Sequence, residues 1–449
     1  MKLNLKMIAL IIGSSVVLSC NTHHNKKSKM KNQASEQMTA AEILENPDYV
    51  AISYGGYREK SRSTQPTIIQ LKEDLKILHA MGIRILRTYN VQTELPHASN
   101  LLEAISQLKK EDPSFEMYVM LGAWMDCLNA WTEKEPNHDI ESAQNEEEIK
   151  RAVFLANKYP SIVKVIAVGN EAMVRWATSY YVQPKVILKY VNHLQNLKKN
   201  GELSKDVWIT SSDDFSSWGG GDLSYRVEDL EALIKSVDYV SMHTYAYHNS
   251  HYNPGFWKVP DNELHLNDKQ KIDRSIERAL EFSKKQYKDV SEYVKSIDSS
   301  KTIHIGETGW ATVSNGFYGA NGSRATDQYK QGLYYNKLRE WTNQEGISCF
   351  YFEAFDERWK QAANPSGSEN HFGLIGLDNS IKFTLWDAAD AGVFEGLTRD
   401  GKPLVKSFSC NQNTLMASAL LPPFKSQMAV RRMENTNKGR QAGETVTEQ

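Results

Sequence analysis

Ile162-Val163-Lys164-Val165-Ile166-Ala167-Val168-Gly169-Asn170-Glu171 is the stretch that decides the fold. Its first seven residues are apolar but for one lysine, and they lack the in-out alternation of a strand with one wet face. Such a run suits a parallel strand covered on both sides. Gly169-Asn170 then breaks the run and sets a carboxylate just past its end. Seven similar runs flank it: Tyr49 to Tyr54, Ile83 to Tyr89, Glu116 to Leu121, Val207 to Thr210, Tyr239 to His243, Thr302 to Ile305 and Ser348 to Phe352. Each leads into a polar loop and an amphipathic stretch. Eight βα units in one chain predict an α/β protein, a (β/α)8 TIM barrel forming a single catalytic domain.

The helices between these runs have legible ends. Thr67 and Gln70 fit a capping box, and Ile68, Leu71, Leu75 and Leu78 repeat at helical spacing until Gly82. Asn145 is expected to cap a helix whose first turn carries Glu146, Glu147 and Glu148 and whose far end is bounded by Pro160. Gly201 closes a helix that starts near Pro184 and turns Val191, Leu194 and Leu197 inward. Two stretches exceed what a plain barrel needs, residues 247–300 and everything after about Leu397. The first is aromatic early, at Tyr247, Tyr252, Phe256 and Trp257, and charged later, which predicts an active-face insertion followed by a long helix.

The ends of the chain differ from its middle. Lys2 and Lys6 precede an apolar run from Met7 to Leu18, too short for a membrane span and suited to an export signal. Cys20 follows Val17-Leu18-Ser19, which resembles the bacterial lipobox. The expected organisation is a lipoprotein signal over 1–19, a lipidated Cys20 with a flexible polar tether over 20–46, the barrel over 47–400, and a C-terminal extension over 401–449, disordered from about 428. The expected location is therefore a bacterial cell envelope, with the membrane reached through the lipid anchor. Once Cys20 is acylated, Cys127, Cys349 and Cys410 remain, an odd number that cannot make a complete disulfide framework. Among 449 residues, 53 are Lys or Arg and 55 Asp or Glu, for a net charge of −2, and no basic stripe carries interleaved aromatics. That excludes the electrostatic footprint of a nucleic-acid binder.

On such a barrel the chemistry sits at the carboxyl ends of the strands. There, Glu171 follows the fourth run and Glu307 the seventh, each beside glycine and within reach of aromatic residues. A charge just beyond a buried strand is costly unless paired or used. Trp124, Trp131, Trp176, Trp218, Trp257, Trp310 and Trp359 fall in predicted loops, where indoles can stack on the apolar faces of sugar rings.

Val168-Gly169-Asn170-Glu171 and Gly306-Glu307-Thr308-Gly309-Trp310 resemble the two signature motifs of glycoside hydrolase family 17. Ile52-Ser53-Tyr54-Gly55, Ile85-Leu86-Arg87-Thr88-Tyr89 and Phe355-Asp356-Glu357 are similar to it too, so the likeness runs from about residue 50 to about 385. The resemblance implies a retaining hydrolase of β-1,3-glucan with Glu171 as acid/base and Glu307 as nucleophile, without metal or organic cofactor. It also implies that Asn170 hydrogen-bonds the sugar 2-hydroxyl. Tyr245 either donates a hydrogen bond to Glu307 or packs in the core, and Arg87 either depresses the same carboxyl or forms a structural ion pair. Tyr54, Trp310, Glu357 and Lys360 are expected at the substrate. The loop before the seventh strand is much longer than in the plant enzymes, which leaves endo or exo action open. Two other readings stand beside the hydrolase: a β-1,3-glucan transglycosylase and a non-catalytic glucan-binding lipoprotein.

Overall fold

All eight runs become strands of one closed parallel barrel in the computed structural model, which describes residues 38–425. They are β1 (Val50–Ser53), β2 (Ile83–Arg87), β3 (Tyr118–Ala123), β4 (Val163–Asn170), β5 (Trp208–Asp214), β6 (Val240–His243), β7 (Ile303–Gly309) and β8 (Cys349–Phe352). Each pairs with its sequence neighbour, and β8 closes onto β1 through Ala51 and Phe350. The deciding run is buried along its whole length. The export signal, Cys20 and the tail from 428 onward lie outside the described residues.

The helices follow the expected signals with one exception. Helix α2 (Ile68–Ala80) starts at Thr67 with both halves of its capping box made to Gln70. Helix α5 (Pro184–Asn200) has proline in its first turn and ends on Gly201 at φ 79°, a left-handed position that glycine takes without steric cost. Helix α4 (Gln144–Lys158) is the exception: its N-cap is Ala143, with no side-chain cap bond. Asn145 instead lies inside the first turn, buried, with Oδ1 accepting from the Asp126 amide at 2.9 Å and Nδ2 donating to the Asp126 carbonyl at 2.9 Å. An amide side chain pairs with both polar groups of a distant residue better than a carboxylate or hydroxyl can. With α3 (His97–Glu111) following β2 and α6 (Glu228–Ser236) following β5, the long insertion delivers α7 (Ala246–Tyr252) and then the 30-residue α8 (Asp268–Ile297), as expected.

The tether reading needs a correction at its end. Residues 39–44 are folded: α1 (Ala40–Leu44) carries a Thr39–Glu42 capping box and buries Ala40, Ile43 and Leu44. Ile43 and Leu44 pack with Ala51, Ile85, Tyr118, Val165, Tyr239 and Phe350, residues at or near the starts of strands. Composition made this segment look polar, but Ala40, Ile43 and Leu44, three and four residues apart on one helix face, bury enough apolar surface to hold it on the barrel's amino-terminal end. The C-terminal extension is likewise folded over 401–425. Leu415 is fully buried, and Phe424 forms a parallel bridge to Val259 in the active-face insertion. No described helix is long and apolar enough to cross a membrane.

Candidate active site

Glu171 and Glu307 converge at the carboxyl ends of β4 and β7. One carboxylate oxygen from each, and one ring nitrogen of His243, all lie within 4.8 Å of one another. His243 ends β6 and is in register with Glu307 on the neighbouring strand. The barrel interior beneath them is polar: Ser212 Oγ lies 2.9 Å from Ser241 Oγ and 2.8 Å from His243 Nε2. Gly306 makes room for this ladder, since a Cβ there would sit 2.1 Å from Ser241 Oγ and 2.4 Å from Ser212 Oγ. Glu171 itself adopts φ 47°, an uncommon conformation for a residue with a side chain, and its amide is anchored to the Ser212 carbonyl at 2.9 Å.

The two carboxyls sit in opposite electrostatic surroundings. Burial acts to raise the pKa of Glu307, but the Arg87 guanidinium, His243 and hydrogen bonds from Tyr245 and Arg87 outweigh it and hold the group at about 2. Arg87 is buried and ion-paired with Glu307 Oε2; Tyr89 donates to the same oxygen at 3.1 Å and Tyr245 to Oε1 at 2.6 Å. Burial and the Glu307 charge push Glu171 well above the usual carboxylate range, with Asp214 adding to the effect. Burial lowers His243 to about 4, so at neutral pH its ring is uncharged and the guanidinium is the cation that matters. Arg87 can only donate, so the Nε2 that faces it at 3.3 Å must accept. The ring proton is thereby assigned to Nδ1, which donates to Glu171 Oε1 at 3.0 Å.

Glu171, His243 and Glu307 are also spaced as metal ligands would be. Their donor atoms are already committed, however: both Glu307 oxygens and both His243 nitrogens have hydrogen-bond partners, and Arg87 supplies a cation among them. The set fits a hydrogen-bonded carboxylate pair better than an ion site.

Of the expected supporting residues, Arg87 and Tyr245 both contact Glu307, and Asn170 lies beside them with Oδ1 held by Arg87. Four expected substrate contacts sit deeper. Tyr54 is buried and donates to the fully buried Asp74 at 3.0 Å, in a network that Arg58 and Arg399 complete. Trp310 is fully buried, its indole N–H given to the Ala325 carbonyl at 2.8 Å. Trp218 and Trp257 are core residues as well. Glu357 is buried and accepts from the Tyr57 amide at 2.9 Å and the Trp359 indole at 2.8 Å. Lys360 bridges it to Glu353 at 2.6 Å. Closeness to a strand end therefore does not guarantee exposure: Trp310 is held by the segment after β7 that carries Ala325, and Tyr54 by Asp74 of α2 with its partners Arg58 and Arg399. Sequence reasoning missed His243, Tyr89 and Glu353. The first two lie two residues from Tyr245 and Arg87, across the ends of β6 and β2, the spacing that continues a strand's period, and Glu353 directly follows β8 as Glu171 follows β4.

The chain is similar to an endo-laminarinase from Formosa Hel1_33_131 at 60% identity and a TM-score of 0.85, over 86% of this chain and 98% of that one. A glucan 1,3-beta-glucosidase of Arthroderma benhamiae is 25% identical over 320 residues, 70% of this chain and 82% of that protein. A glycoside hydrolase family 17 β-1,3-glucanosyltransferase from Rhizomucor miehei shares the fold, with a TM-score of 0.51 and 19% identity over 75% of this chain and 96% of that one. The BtgE/BtgC glycoside hydrolase domain matches residues 51–373, from β1 to just past β8, and the chain belongs to that family.

Proposed function

We propose that this protein is an endo-acting, retaining β-1,3-glucanase with Glu307 as nucleophile and Glu171 as acid/base. The observation that carries the mechanism is the pair itself: carboxylate oxygens within 4.8 Å, one group driven towards ionisation and the other towards protonation. Retaining enzymes hold their carboxyls about 5 to 5.5 Å apart, whereas inverting ones need about 6.5 to 9.5 Å to admit a water. The 60% identity to an endo-laminarinase supports the substrate and the mode of cleavage.

In the first step Glu307 attacks the anomeric carbon while the bond to the leaving oxygen breaks. Oε1 of Glu171 is occupied by the His243 N–H, so the acidic proton sits on Oε2 and passes from there to the leaving oxygen. Esterification of Glu307 removes its negative charge, one of the causes of the raised Glu171 pKa. Glu171 then takes a proton from water, the water oxygen bonds to the anomeric carbon, and Glu307 departs as a carboxylate. The Nδ2 of Asn170 has no hydrogen-bond partner among the described residues while its Oδ1 is fixed by Arg87, which supports a bond from Nδ2 to the sugar 2-hydroxyl. Cleavage of laminarin followed by proton NMR is expected to show a spread of oligosaccharides from the outset, with new reducing ends appearing first as the β-anomer. Glucose as the sole early product would overturn endo action, and α-anomer first would overturn retention.

The export signal and Cys20 support a lipid-anchored protein of the bacterial cell envelope. A fatty-acid analogue should label the wild-type protein, and Cys20→Ala should move it from the membrane fraction to the soluble one. An unlabelled wild type would remove the anchor.

A further inference from the structure

One exposed aromatic residue is built into its place. After β3 the chain forms a hairpin in which Cys127–Leu128 pairs antiparallel with Asn137–Glu141. Trp131 sits in its turn, 61% exposed and at φ 61°, a conformation that is an outlier for a bulky side chain. Two contacts hold it there. Its indole N–H donates to Asp126 Oδ1 at 3.1 Å, and its ring stacks on Tyr180 with centroids 4.9 Å apart and planes 22° from parallel. The same Asp126 oxygen accepts from the Trp124 indole at 2.6 Å. Asp126 is itself buried and fixed through its backbone by Asn145, while Glu148 takes the Trp124 amide at 3.0 Å. Helix α4 therefore holds both indoles through a single carboxylate. A loop that merely solvates a hairpin turn has no use for such an arrangement, and an observed strained position of this kind points to a binding role.

Its position gives the role. Tyr180 belongs to the loop that begins at Glu171, and that loop doubles back on its own start: the Val182 amide donates to the Ala172 carbonyl at 2.7 Å, while the Cys127 amide donates to the Tyr180 carbonyl at 3.1 Å. The Trp131–Tyr180 pair thus lies on the Glu171 side of the scissile position. A group that protonates the leaving oxygen has the leaving part of the glucan beyond it. We propose that Trp131, backed by Tyr180 and tied to Asp126, is the stacking platform of a subsite on the leaving-group side, taking glucosyl units beyond the cleaved bond. The inference rests on the retaining reading above. The same platform would hold a sugar acceptor after the leaving part has gone.

The test uses the full chain with Glu307 trapped as its 2-deoxy-2-fluoro-laminaribiosyl ester, formed from the corresponding activated glycosyl fluoride. Reactivation is followed against laminaribiose concentration, each protein being normalised to its own reactivation by water alone. Trp131→Ala should raise the half-saturating laminaribiose concentration roughly tenfold, the scale of one lost aromatic stacking contact. Trp131→Phe, which keeps a ring, should restore most of the affinity. Equal half-saturation in wild type and Trp131→Ala would overturn the platform while leaving the retaining mechanism intact. Absence of an adduct on Glu307 in the wild-type protein would instead overturn the mechanism, and the platform with it.

Discussion

Glu307→Ala should lose turnover on laminarin by at least about 10⁴-fold, since no glycosyl ester can form and what remains is binding and positioning. Added azide should fill the vacated volume beneath the anomeric carbon. With an activated laminaribiosyl fluoride of β configuration, azide then displaces fluoride from the face that Glu307 occupied, giving the α-glycosyl azide. Arg87 strengthens this expectation, because the guanidinium that pairs with Glu307 is left to receive an anion. Product configuration by NMR is the measurement. A β-azide from this variant, or hydrolysis near the wild-type rate, would reverse the assignment.

Glu171→Ala should fail in a different way. Cleavage of unactivated glucan should fall by about 10²- to 10⁴-fold with loss of the general acid. A dinitrophenyl β-laminaribioside needs little protonation, so it should still esterify Glu307 in a fast burst. Hydrolysis of that ester should then be slow for want of a base. Azide needs none, and it should speed release and yield the β-glycosyl azide. The pH profile supplies a second readout. Glu307 is held at about 2 and stays ionised across the ordinary range, while Glu171 is raised and must keep its proton to act. Wild-type cleavage of glucan should therefore decline on the alkaline side as Glu171 loses its proton. With the dinitrophenyl substrate, burst formation in Glu171→Ala should lack that decline, and an alkaline limb of wild-type shape would assign it to another group.

The strands were legible because a barrel buried on both faces imposes a simple demand on its sequence: short apolar runs, each ended by glycine or a polar residue. The same demand exposed Glu171 and Glu307, whose charges are conspicuous at the end of such runs. Side-chain direction was less legible. Tyr54 and Trp310 stand at strand ends, as a substrate contact would, yet both face the core, because what covers them comes from Arg58, Arg399 and the 311–325 segment, distant in sequence or without periodicity. Asn145 carried a strong local capping signal, but a partner 19 residues away, the Asp126 backbone, took its amide. His243 needed only a count of two back from Tyr245, and Glu353 only the rule already applied to the other two glutamates. Those omissions were of inference, whereas the buried tyrosine and tryptophan needed tertiary information.

Helix α1 bears on how the enzyme would be displayed. The chain joins the barrel at the pole where the strands begin, and the carboxylates stand at the other pole, about six strand residues or roughly 20 Å away along β4. A bead, resin or surface coupled directly at residue 38 would therefore grip the barrel by its base and leave the mouth turned outward, open to a long polymer passing across it. At the other end of the described residues, Phe424 is bridged to Val259, in the insertion that follows the end of β6, so a cargo inserted directly after residue 425 would start beside the mouth.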